Sequence, residues 1–238
     1  MKKAIVIGAT SGIGKGLAKQ LVENQYKVGI TGRRSALLEE LKNERLDSYL
    51  TETFDIINTD QTIEKLERLT VELGGLDLIV ISSGTGDLNE DLDFTIERRT
   101  IDTNVTGFTC IAAWAFNYFK KQKFGHLVVI SSVGGLRGSR HAPSYNASKA
   151  YQINYLEALR QKAAHLNLPI YVTDIRPGFV DTDMAKGEGK FWVATVEKAA
   201  GQIFDAIKRK KNIAYVTRRW RIIAAILKWI PNPVYNRM

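Results

Sequence analysis

The chain has 238 residues, 45% of them hydrophobic, with 34 lysines and arginines against 25 acids for a formal net charge of +9. That length and apolar fraction fit one large α/β domain and exclude a disordered chain, and a single cysteine, Cys110, excludes an intrachain disulfide. Nine of the 34 cations follow Asp205 with no acid among them, while the 25 that precede them meet 25 carboxylates, so the body is neutral and a fold-wide nucleic-acid surface is disfavoured.

Met1-Lys2-Lys3 runs directly into the first strand-like stretch, "KAIVIG" at 3–8. No apolar signal core or small-residue cleavage site precedes it, so the protein is expected in the cytoplasm. Further apolar runs follow at 27–31, 49–56, 76–82, 125–131, 169–175 and 212–216. Several are continuously apolar rather than alternating, as strands of a parallel sheet covered on both faces are. Helix-like segments lie between them at 12–24, 35–43, 59–73, about 93–122, 144–167 and 195–209, with Thr59 or Asp60 and Thr195 as candidate caps. The βα alternation predicts a doubly wound, mostly parallel sheet of about seven strands, Rossmann-like. Residues 1–217 are expected to form one domain, and 218–238 an appended helical extension with an amphipathic helix. Cys110 reads as a small apolar side chain on a helix.

The first strand ends in "IVIGATSGIG", where Gly8, Thr10, Ser11, Gly12, Ile13 and Gly14 form a glycine-rich turn that opens a helix. Such a turn lets backbone approach a pyrophosphate and presents helix N-terminal N–H groups to it. The second strand ends in "ITGRRS". A chain that holds adenosine ribose hydroxyls usually has an acid here, whereas Arg33 and Arg34 suit a 2′-phosphate and favour NADP(H). Two solvated loop charges are the bland alternative. Lys15 either adds to the positive field or simply lies on the helix surface. Asp55, beside Ile56 at the end of the third run, is placed to accept from an adenine amino group, or else forms a turn.

Tyr145 and Lys149 in "SYNASKA" are four residues apart, on one helix face. An ammonium nearby favours a phenolate and brings the tyrosine towards working range. Ser131 and Ser132 stand at the carboxyl end of a strand, where open α/β sheets bind ligands and a hydroxyl can donate to a carbonyl oxygen; Ser131 suits turn formation. Asn104, inside a long apolar helix, reads either as a satisfied buried amide or as part of a proton relay.

Gly8-x3-Gly12-x-Gly14, Asn104, Ser132, Tyr145-x3-Lys149 and "RPGFVDTDM" at 176–184 together resemble the short-chain dehydrogenase/reductase family over about residues 3 to 216. The resemblance implies Tyr145 as general acid and base, with Lys149 binding the nicotinamide ribose and lowering the tyrosine pKa. It implies that Ser132 orients the carbonyl oxygen and that Asn104 holds a water linking Lys149 to solvent. Pro177, Gly178, Val180 and Thr182 would line the nicotinamide, and no metal is implied. Ile81-Ser82-Ser83-Gly84 departs from the family's N-N-A-G run: Gly84 is kept, while Ser82 replaces the asparagine that braces the sheet beside the cofactor. The expected activity is NADP(H)-dependent hydride transfer on a small-molecule carbonyl or alcohol. The alternatives are a non-catalytic NADP(H)-binding module and an epimerase or dehydratase on the same scaffold. The resemblance also implies a homodimer or homotetramer.

The segment 184–200 reads as a lid, with Gly187 and Gly189 as hinges and Phe191 and Trp192 either facing a lipophilic substrate or fastening the lid to the body. After the last strand comes "RRWRIIAAILKWI", Arg218 to Ile230. Ile222, Ile223, Ile226, Leu227 and Ile230 are expected on one helix face, opposite Arg218, Arg221, Ala225 and Lys228. That stripe would pack on the body or a second subunit, or lie on a membrane surface with Trp220 and Trp229 at the interface. No stretch reaches the ~20 apolar residues of a spanning helix.

Overall fold

In the computed structural model, which describes residues 1–184 and 191–237, seven strands form one parallel sheet. They are β1 (Lys2–Ile7), β2 (Tyr26–Gly32), β3 (Tyr49–Thr53), β4 (Leu78–Ile81), β5 (Gly125–Ile130), β6 (Ile170–Pro177) and β7 (Ile213–Val216), in the order β3-β2-β1-β4-β5-β6-β7. Every neighbouring pair is parallel. The unbroken apolar runs are explained by burial on both faces. Ala4 and Val6 join a core with helices α1 (Gly12–Glu23), α2 (Ser35–Asn43) and α7 (Val196–Lys208). Ile5 and Ile7 point the other way, into a core with α3 (Thr59–Leu73), α5 (Phe108–Gln122) and α6 (Pro143–Leu166).

The chain reverses its winding at β1, which pairs with β2 on one side and β4 on the other. Such a switch point opens a crevice at the carboxyl ends of the strands, where this fold type binds ligands.

Several boundaries differ from expectation. The third run stops at Thr53, and Phe54 to Ile56 turn away from the sheet. Asn58, rather than Thr59 or Asp60, caps α3: its side chain accepts from Gln61 N at 3.4 Å. Thr195 caps α7, accepting from Lys198 N. The stretch expected as one helix over 93–122 is α4 (Phe94–Ile101), a π-helical segment at Asp102–Gly107, and α5. A π segment inserts an extra residue into a helix and often marks a functional position; here it carries Asn104.

After β7 come α8 (Trp220–Trp229) and the short α9 (Asn232–Tyr235). The helix α8 packs inward through Trp220 and Ala224, which are 5% and 1% exposed. The apolar stripe expected there is therefore split. Ile223 and Leu227 are half-buried, whereas Ile222 and Ile226 face solvent together with Trp229. Trp220 is not at an outer interface either: it is enclosed by Phe179 and Phe191.

Candidate active site

Backbone geometry explains the glycines of the first turn. Gly8 has φ +84, and a Cβ on it would sit 2.7 Å from Ser83 N. At Gly14 a Cβ would lie 2.1 Å from Gly8 O, so only glycine lets α1 start this close to β1. Ser11, the residue before α1, makes no side-chain cap and leaves the first helical N–H groups to an incoming ligand. Lys15 does not join them; it pairs with Glu40 at 3.4 Å on the helix surface.

The two arginines divide their contacts. Arg34 donates through Nη2 to Thr10 Oγ1 at 2.6 Å and to Ser11 Oγ at 2.8 Å, bracing the glycine loop. Arg33 is 71% exposed, and its guanidinium stands 3.5 Å from the Asp55 carboxylate. No acid replaces them at the end of β2, which closes on Gly32. Across the switch point, Ser82 N donates to Ile7 O at 2.9 Å. The neighbouring Ser83 has a buried hydroxyl without a partner among the described residues.

Tyr145 and Lys149 stand near the N-terminus of α6, facing the end of β5. Ser132 follows β5; its Oγ accepts from Gly134 N at 3.0 Å and is hydrogen-bonded to the Tyr145 hydroxyl. Lys149, 4% exposed, donates to Ile130 O at 3.0 Å and to Gln152 Oε1 at 3.1 Å. Burial brings its ammonium down from the usual lysine value to about 8, against the opposing pull of Asp174. The expected lowering of the tyrosine pKa by this lysine is not what these side chains show. Burial raises the Tyr145 pKa, with only the Ser132 hydrogen bond opposing it. Lys149 Nζ lies 5.9 Å from the tyrosine ring centre and is committed to a backbone carbonyl and an amide.

Asn104 is fully buried and behaves as a clamp. Its Oδ1 accepts from Thr85 N at 2.9 Å, and its Nδ2 donates to Thr85 O at 2.7 Å and Ser148 Oγ at 3.0 Å. Its main-chain carbonyl accepts from Gln152 Nε2 at 2.9 Å. Gln152 therefore joins Lys149 to the π segment directly. Sequence reasoning passed over this residue, although its position three after Lys149 puts it on the same helix face. Ser131 is not the turn former expected: its hydroxyl donates to the buried Asp174, which also accepts from Arg176 Nε at 2.6 Å. That ion pair under the site was missed as well. Cys110 is partly buried on α5, its thiol 3.8 Å from Thr59 O, and burial raises its pKa.

Beyond β6, Gly178 lets the chain pass under the tail, since a Cβ there would sit 2.0 Å from the Trp220 ring. Phe191 stacks on Trp220 at 5.0 Å between ring centres. Phe191 and Trp192 are thus fastened to the body through the tail; the hinge glycines Gly187 and Gly189 lie outside the described residues. Arg137 holds α8 from below, donating to Ile230 O at 3.0 Å and to Asn232 Oδ1 at 3.0 Å.

These parts surround one cavity of about 1070 Å³. Gly8, Thr10, Ser11, Gly12, Ile13, Arg33, Arg34, Asp55, Ile56, Ser82 and Gly84 line one end. Ser132, Tyr145, Lys149, Pro177, Gly178, Val180 and Thr182 line the rest, with Trp220 and Leu227 as the far wall. Of the residues singled out in the sequence, Gly14 and Asn104 stand behind the wall. Among the described residues no cluster of three His, Cys, Asp or Glu side chains is placed to hold a metal.

A family model described as short chain dehydrogenase matches residues 2–191. An uncharacterized oxidoreductase of Myxococcus xanthus is 36% identical over 188 residues, covering 77% of this chain and 74% of its own. A second, from Staphylococcus aureus strain USA300, is 31% identical over 184 residues, covering 76% and 79%. In fold, the chain is similar to a short chain dehydrogenase from Bacillus anthracis, with TM-score 0.81, 21% identity and coverage of 90% and 94%. One from Streptomyces avermitilis gives 0.82, 21%, 95% and 91%.

Proposed function

The chain belongs to the short-chain dehydrogenase family, whose members are oxidoreductases that use nicotinamide cofactors, and from that premise we propose an NADP(H)-dependent enzyme acting on a carbonyl or alcohol carbon. The observation that carries this reading is one continuous cavity lined by the glycine loop and by Ser132 and Tyr145.

The residues fit the cofactor. Gly14 clears the loop, the N-terminus of α1 is free of a side-chain cap, and the Ser83 hydroxyl, without a partner among the described residues, belongs to a residue lining the same cavity. Arg33 and Arg34 would hold a 2′-phosphate, and Asp55 and Ile56 the adenine side. When bound, NADP(H) supplies or takes up the hydride.

Tyr145 delivers the proton to the substrate oxygen in reduction and removes it in oxidation. Burial raises its pKa and so keeps the hydroxyl protonated before reaction. Ser132 shares that hydroxyl through its hydrogen bond and is placed to donate to the same oxygen. Lys149, with a pKa of about 8, is still a cation at neutral pH and would hold the nicotinamide ribose. Gln152 and Ile130 O hold the ammonium in place. The exposed Phe94, Ile101 and Tyr151 supply apolar surface for a homodimer or homotetramer.

The test is Tyr145→Phe assayed with NADPH on aldehydes and ketones of graded chain length. A general acid contributes about 10²- to 10⁴-fold, so turnover should fall by that much while NADPH binding stays near that of the parent. Unchanged turnover would refute the assignment. NADPH binding by the parent with no turnover on any substrate would favour the non-catalytic module.

A further inference from the structure

The outer face of α8 has no part in the cavity and is built unlike an ordinary surface. Ile222, Ile226 and Trp229 recur at i, i+4 and i+7, on one side of the helix, and are 60%, 50% and 85% exposed. Arg218, Arg221 and Lys228 are exposed around them. Among the described residues, no ion pair includes any of these three cations. Nor does nearby sequence offer an acid, since no carboxylate follows Asp205. At the start of the helix, Trp192 adds a half-exposed ring with the Arg219 guanidinium 4.9 Å from its centre.

We propose that this face seats the enzyme on an anionic lipid bilayer, with Ile222, Ile226 and Trp229 entering the headgroup boundary and Arg218, Arg221 and Lys228 meeting lipid phosphates. An apolar strip bordered by cations and flanked by tryptophan matches the cross-section of such a boundary. The occupant follows from charge. A second copy docking about a two-fold axis would bring this face against itself and set its cations against their own kind. A polynucleotide would take the cations and leave the isoleucines and Trp229 in water. The helix is already held on the body by Trp220, Ala224 and the Arg137 hydrogen bonds, so it meets the bilayer preformed. Its inner side chains Trp220 and Leu227 line the cavity, so a seated helix brings that wall within one helix diameter, about 10 Å, of lipid. The proposal goes beyond the reductase reading and is tested without a substrate.

The experiment is co-sedimentation of the full-length protein with phosphatidylcholine vesicles, with and without phosphatidylglycerol, at low and high salt. The protein should pellet with the anionic vesicles at low salt, pellet less at high salt, and stay in solution with phosphatidylcholine alone. Removing two large apolar side chains in Ile222→Ser/Trp229→Ser should lower the bound fraction about tenfold or more, and each cation replaced by Gln should lower it roughly fivefold. Melting temperature and NADPH binding should be those of the parent in every variant, because these side chains are exposed and outside the cavity. Failure to pellet with anionic vesicles overturns the proposal. Equal pelleting of Ile222→Ser/Trp229→Ser and the parent also overturns it, leaving a polyanion site only. A loss of oligomer mass in that variant overturns it in favour of a second copy on this face.

Discussion

Replacing Lys149 with Met is expected to change how stability depends on pH. The ammonium is buried against Ile130 O and Gln152, and its pKa is about 8 when folded against the usual 10.5 when exposed. Below pH 8 both folded and unfolded chains carry the proton, and the folded state bears the full penalty of burying it. Between pH 8 and 10.5 the unfolded chain holds the proton and the folded chain does not, so stability rises with pH. Above 10.5 neither holds it and the rise ends. At about 1.36 kcal/mol per pKa unit, the total is roughly 3 kcal/mol. In Lys149→Met this rise is missing. The variant also takes the Lys149 donor from the Ile130 carbonyl and from Gln152 Oε1, an offset of about 1–3 kcal/mol that does not vary with pH. The assay is urea unfolding of parent and variant at steps from pH 7 to 10.5, reading the difference in stability; titration of groups common to both cancels. The parent should gain roughly 3 kcal/mol on the variant across that window. A constant difference would refute the reasoning, since it would mean that water reaches the ammonium. A difference moving the other way would mean that folding holds the charge more tightly than water does.

His126 gives the opposite end of the pH scale. Thr173 donates its hydroxyl to Lys211 O and so accepts from His126 Nε2–H at 2.8 Å, and burial lowers the His126 pKa to about 4. Its contribution is full above pH 6.5 and lost as pH falls through 4, about 3 kcal/mol in all, so parent and His126→Gln should converge by that amount in acid unfolding curves. Arg33→Ser should raise the Kd for NADPH about ten- to a hundredfold, the worth of a charged hydrogen bond, and leave that for NADH within a small factor, whereas Arg34→Ser should weaken both because Arg34 also braces the glycine loop; equal losses for both cofactors in Arg33→Ser would exclude a 2′-phosphate contact there. Trp220→Ala removes a buried indole between Phe179 and Phe191 and should cost about 3–5 kcal/mol, a fall in Tm of roughly 10 °C by scanning calorimetry. Gly178→Ala should give a similar fall, because its Cβ would collide with the same ring.

What sequence reasoning reads well here is what depends on neighbours along the chain. Ile5 and Ile7 face one core and Ala4 and Val6 the other, so a parallel strand announces itself as an unbroken apolar run. The glycine loop, Ser132 and the Tyr145–Lys149 pair are legible for the same reason: each is a short spacing on one turn, strand end or helix face. What it misses are bonds between distant segments. Gln152 meets Asn104 across 48 residues, and Ser131 meets Asp174 across 43. Neither pairing has a local pattern, and in both cases the partner decides whether the residue is a turn former, a clamp or a relay. The tyrosine pKa went astray in the same way. The i,i+4 spacing correctly puts Lys149 on the face of Tyr145, but the distance to the phenol is set by Ile130 O and Gln152, which hold the ammonium elsewhere.

The tail shows where helical periodicity alone leads. Counting isoleucines along residues 218–230 selects the greasiest face, one suited to the body, a second subunit or a membrane surface. The face that turns inward is a different one, because the space above Gly178 takes the flat ring of Trp220, and burying Trp220 and Ala224 leaves Ile222, Ile226 and Trp229 in solvent. Three large apolar side chains left exposed on a ten-residue helix contribute little to stability in water. A helix needed only to close the cavity would gain from polar residues at those positions. Their place beside cations that form no ion pair among the described residues is better explained by a second medium than by packing, and anionic vesicles test it.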